Sequence, residues 1–114
     1  MRLEARKVAS IASLLADSDR AVFYSVINPW ELSIKHAKGK LKVPSNFFET
    51  FSTLGFECLP IEESHVQTLR ELPPLHDDPF DRMLVAQAKV EKLTLITSDK
   101  RLAQYPVKTL LLQT

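Results

Sequence analysis

The sequence predicts an α/β domain with a mainly parallel sheet covered by helices on both faces. Three observations carry this. Short apolar runs rich in β-branched and aromatic residues recur at 21–27, 56–60, 93–97 and 107–112, as buried parallel strands require. Segments with apolar residues at helical spacing lie between them. The resulting order, α-β-α-α-β-α-α-β-(α)-β, alternates strands with helices, which implies parallel pairing through right-handed crossovers. At 114 residues the chain suits one domain spanning 1–114. That length buries about two-thirds of its unfolded surface.

Taken in order, residues 2–16 read as a helix with Val8, Ile11 and Leu15 at helical spacing, and residues 17–20 as a loop. This helix has no strand before it, so the chain reads as beginning inside a βαβ unit. After the strand at 21–27, Asn28 is an N-cap with Pro29 at the first helical position and Glu31 at the third. That helix runs to about Lys38, carries Trp30, Ile34 and Ala37 on one face, and stops at Gly39. Residues 40–44 form a linker with an extended bias before Pro44. Ser45 caps a helix to Leu54 whose apolar face is Phe47, Phe48, Phe51 and Leu54, and Gly55 ends it. A strand at 56–60 precedes a short helix at 62–72 carrying Val66 and Leu69. Pro73-Pro74 breaks the chain. Asp78 then caps a helix to about Val90, with Pro79 at its first position and Asp81 at its third. A strand at 93–97, a helical turn at 100–105 and a strand at 107–112 complete the chain.

The totals exclude several classes. A net charge of +1 gives no global bias toward nucleic acid or anionic membrane, so any such contact comes from a local patch. No apolar run approaches the roughly 20 residues that span a bilayer. Cys58 is alone, so no internal disulfide forms, consistent with a reducing compartment.

The chemistry-bearing residues are acids at helix starts. Asn28-Pro29-Trp30-Glu31 and Asp78-Pro79-Phe80-Asp81 repeat one device, and Asp99 follows the run Leu93–Thr97. A capping box alone accounts for Glu31. In open α/β sheets, however, ligands collect beyond the carboxyl ends of the strands, so Glu31, Asp81 and Asp99 could converge at one rim. Carboxylates about 5 Å apart repel by roughly 3 kcal/mol at an effective dielectric of 20, so a cluster needs a cation or helix N-termini to offset it. His76 and His36 invite a general-base role without a partner spacing to support it. Asp78 reads as a cap, and Asp77 as a solvated loop charge. Lys35, Lys38, Lys40, Lys42 and Arg82 offer a cationic rim for phosphates, or an ordinary solvated face.

Several of these stretches together resemble the PIN-domain ribonucleases, in particular the VapC toxins of type II toxin–antitoxin pairs. The resemblance rests on Val22–Val26 leading into Pro29–Lys35, then Gly39–Leu41, Gly55-Phe56 and Leu59–Ile61. It is strongest over Leu72–Ala88 with its Asp-Pro-Phe-Asp-Arg run, and closes with Leu93–Asp99 and Tyr105–Val107. It implies a three-layer fold and a cytoplasmic endoribonuclease that uses Mg²⁺ or Mn²⁺, with a cognate antitoxin as partner and a homodimer as a further possibility. It also implies that Glu31, Asp81 and Asp99 are the second to fourth metal-holding acids; of the cationic rim read from the residues, Lys35 and Arg82 are the ones expected beside the substrate. The family's opening strand and its first acid have no counterpart here, which predicts weakened metal binding. Two rivals follow: a PIN-like module that binds an antitoxin or itself without cutting RNA, and a response-regulator-like α/β domain.

Overall fold

The structure is a computed structural model that describes residues 21–40, 49 and 52–112. The expected helix at 2–16, the linker at 40–44 beyond Lys40, and the phenylalanines at 47, 48 and 51 lie outside those residues. The described elements run β1 (Phe23–Ser25), α1 (Ile27–Ala37), β2 (Glu57–Leu59), α2 (Glu63–Leu69), α3 (Pro79–Glu91), β3 (Leu95–Thr97), a 3₁₀ helix (Lys100–Gln104) and β4 (Thr109–Leu111). The architecture is α/β, and both strand pairings are parallel. The chain divides after Pro60 into two compact units.

In the unit before Pro60, β1 pairs with β2 in the register Phe23↔Glu57 to Ser25↔Leu59. The expected start of α1 is corrected by the structure. The helix begins at Ile27, one residue before the expected cap Asn28. Val26 is the N-cap residue, and the Oγ of Ser25 just before it accepts from the Ile27 N–H at 3.1 Å. Asn28 Oδ1 turns back to accept from the Ser25 N–H at 3.2 Å. Pro29 is still harmless in the first turn, where its missing N–H has no intrahelical partner to lose. Glu31 therefore lies beyond the first turn, without an N3 role. The far end follows expectation. Gly39 has φ +69°, its N–H donates to His36 O, and Lys40 N–H donates to Lys35 O. This is a Schellman ending, whose left-handed residue is best supplied by glycine.

In the unit from Ile61 onward, β3 pairs with β4 from Leu95↔Thr109 to Thr97↔Leu111. Leu72, Leu84, Val85, Ala86, Ala88, Leu95, Leu102 and Tyr105 form its buried apolar core. α3 starts as expected: Asp78 is extended, and its Oδ1 accepts from Phe80 N–H at 2.9 Å and Asp81 N–H at 3.4 Å. It ends on Lys92 at φ +56°, with Leu93 N–H donating to Ala88 O. Two side chains tie the layers of this unit together. His65, 0% exposed, accepts the Glu62 N–H on Nδ1 at 3.0 Å and meets Glu91 Oε1 through Nε2 at 2.9 Å. The start of α2 is thereby fastened to the end of α3. Arg82 places Nη1 on Pro73 O and Tyr105 Oη, and Nη2 on Leu69 O and Leu72 O, at 3.0–3.4 Å. It satisfies carbonyls that the end of α2 leaves over.

Candidate metal centre

The centre is assembled within the second unit by the loop before α3, the start of α3 and the end of β3. Asp81 occupies the third position of α3 and is 1% exposed. A carboxylate this deeply buried is costly unless opposed by positive charge or donors. The N-terminus of α3 offsets part of that cost. Asp99 lies just past the carboxyl end of β3. Its N–H donates to Thr97 Oγ1 at 3.1 Å, and its Oδ1 accepts the Arg101 N–H at 2.9 Å, capping the 3₁₀ helix. These two local turns fix the Asp99 carboxylate before any longer-range contact is made.

His76 joins the two acids. Its Nδ1 accepts the Asp78 N–H at 3.0 Å, so in the neutral ring the proton resides on Nε2, a tautomer assigned from the hydrogen-bond network. That Nε2 lies 3.1 Å from Asp99 Oδ2 and 3.2 Å from Asp81 Oδ2. Arg101 adds a fork, with Nε on Asp99 Oδ1 at 3.2 Å and Nη2 on Oδ2 at 3.0 Å. The Arg101 side-chain hydrogen bonds, aided by its N–H and by His76, hold Asp99 well below the usual carboxylate range; partial burial opposes them.

One ligand atom each from His76, Asp81 and Asp99 lies within 4.8 Å of the others. Two carboxylates at a helix start are the oxygen donors that a hard divalent cation takes. A protonated Nε2 is not a ligand, which leaves the carboxylates of Asp81 and Asp99 as the oxygens a cation could meet, with His76 hydrogen-bonded to Asp99. A second group, Glu62, His65 and Glu91, meets the same distance limit. There, both ring nitrogens are already used in the helix tie described above.

Of the residues singled out from the sequence, the structure brings Asp81 and Asp99 together. Glu31 lies in the other unit, 5% exposed on α1, with its Oε2 3.4 Å from Lys35 Nζ. Arg82 directs both terminal nitrogens at the contacts given above, so its described role is to hold the chain between α2 and α3. Asp78 is the cap it was expected to be. The sequence reading gave one residue of the centre a different role and passed over another. His76 is offered there as a base, whereas in the structure its Nε2 hydrogen-bonds Asp99 and lies 3.2 Å from an Asp81 oxygen. Arg101 draws no attention there, although an Asp two residues before an Arg at a helical turn is a spacing that permits a local fork.

Among the described residues no helix is long and apolar enough to cross a membrane. No curated protein and no solved structure matches the chain. The family model described as "PIN domain" matches residues 3–108, nearly the whole sequence and both compact units. The chain belongs to the PIN-domain family, whose members are generally metal-dependent nucleases.

Proposed function

We propose that this chain is an endoribonuclease that works with Mg²⁺ or Mn²⁺, in the manner of a VapC-type toxin held in check by an antitoxin. The observation that carries the reading is the meeting of buried Asp81 with Asp99 around His76 Nε2. Asp81 and Asp99 would hold the cation, and Glu31 is proposed as the third acid. A bound divalent cation supplies charge neutralisation at the phosphodiester and lowers the pKa of a water so that it can attack. The start of α3 fixes Asp81, and the turns after β3 fix Asp99. Lys35 is proposed to meet substrate phosphates.

The test is cleavage of single-stranded RNA with Mg²⁺ or Mn²⁺ by the chain and by Asp81→Asn. Loss of cleavage in a variant that retains its helical circular dichroism supports the reading. Cleavage that survives both the substitution and excess chelator refutes it. Glu31→Gln, assayed alongside, tests the share assigned to the third acid.

A further inference from the structure

Arg101 covers the acid that the cation would need. Its guanidinium occupies both Asp99 oxygens, and Asp81 and Asp77 also lie within its electrostatic reach. Yet the side chain is 61% exposed, and pairs at such exposure are weakly held. The carboxylate does not depend on that fork for its orientation. The Arg101 N–H on Oδ1, His76 Nε2 on Oδ2, and the Asp99 N–H on Thr97 Oγ1 all remain when the guanidinium swings away. A planar fork that fits a carboxylate also fits a phosphate. Arg82 is not equivalent, because its terminal nitrogens are engaged by carbonyls and Tyr105.

We propose that Arg101 changes partner when the centre loads: it leaves Asp99 as the divalent cation enters and takes a phosphate of the RNA strand. This rests on the metal-dependent nuclease reading above. Arg101 is then both a competitor of the cation and a positioning residue for the substrate backbone. It reads charge and not base identity, because phosphate contacts carry no sequence information directly.

Three chains are compared: the unaltered protein, Arg101→Gln and Arg101→Lys. Calorimetric titration with MnCl₂ alone measures the competition. Removing an exposed competing cation should tighten Mn²⁺ binding by roughly two- to fivefold in Arg101→Gln. Anisotropy of a labelled single-stranded RNA, with Ca²⁺ as the cation, measures the second half. Losing one phosphate contact should weaken RNA binding and reduce the slope of log affinity against log salt by roughly 0.7. Arg101→Lys should retain that slope, since a point charge still meets the phosphate. Weaker Mn²⁺ binding in Arg101→Gln overturns the proposal, because the guanidinium would then be a support for Asp99. So does an unchanged salt slope. If the unaltered protein takes up no Mn²⁺, the metal reading of the centre fails and this inference fails with it. If the unaltered protein binds Mn²⁺ and Arg101→Gln matches it in both measurements, only the role of Arg101 fails.

Discussion

Asp81→Asn should make the metal-free protein more stable and the metal-loaded protein less stable than the unaltered chain. The candidate oxygens of Asp81 and Asp99 lie within 4.8 Å of each other. At an effective dielectric of 20, two unit charges at that distance repel by roughly 3.5 kcal/mol. Against this gain, the amide forfeits a favourable place at the N-terminus of α3, worth about 0.3–1 kcal/mol. It also weakens the electrostatic contact of the carboxylate with His76 Nε2 at 3.2 Å, worth about 1.5 kcal/mol at most. The balance is a gain of about 1 kcal/mol, or roughly 4 °C in Tm for a domain of this size. With Mn²⁺ at about 100 times its dissociation constant the unaltered protein gains about 2.7 kcal/mol, and the variant gains little. Thermal unfolding followed by circular dichroism, in EDTA and in MnCl₂, should therefore show the two curves exchange order. A variant less stable than the parent in EDTA would make Asp81 a structural acid, and the cation would lose its reason to be there. Equal Mn²⁺ shifts in both proteins would place the metal elsewhere.

Three further outcomes follow from the same structure. The folded-state pKa of Asp99 is depressed, so its stabilisation is complete above the unfolded carboxylate value of about 4 and drains away as pH falls below it. Urea unfolding between about pH 5 and pH 2 should show that loss, and Asp99→Asn should flatten that part of the profile; an unchanged slope in the variant would assign the acid sensitivity to other groups. His65→Ala removes a fully buried ring and its ties to Glu62 and Glu91, and should cost about 2–4 kcal/mol in urea unfolding. A cost well under 1 kcal/mol would mean that the ring does not fasten α2 to α3. Lys92 holds a left-handed backbone at φ +56°, so Lys92→Gly should raise stability by about 0.5–1 kcal/mol despite the extra freedom glycine gives the unfolded chain; a loss would show that the Lys92 side chain has a role of its own.

What the sequence made legible, and what it hid, divides along the range of the interaction. α3 was readable from its first residue to nearly its last, because local rules place Asp78 to accept two of the orphan N–H groups, Pro79 where it forfeits none, and Asp81 at the positive end of the helix. The helical turn and the parallel strands flanking it were readable in outline, because short apolar runs are local signals, while the Asp99 cap on the turn was not read. The start of α1 was misplaced because two residues compete for one task. Asn28 looks like the cap in sequence, but Ser25 can reach the Ile27 N–H, and the Asn28 oxygen is then drawn back to Ser25. No spacing rule ranks those two arrangements.

His76 shows the harder limit. Its first contact is local, the Asp78 N–H two residues ahead, and that contact decides which ring nitrogen keeps the proton. Its second is not local, since Asp99 lies 23 residues away on another element. The consequence for the chemistry comes only from the two together. A histidine with a free Nε2 would be a ligand or a base; one whose Nε2 carries the proton is a donor, and the acids it faces are held close without a cation. Such a centre is poised to exchange one positive partner for another, because carboxylates already gathered cost less to bring to a metal than carboxylates that the metal must assemble.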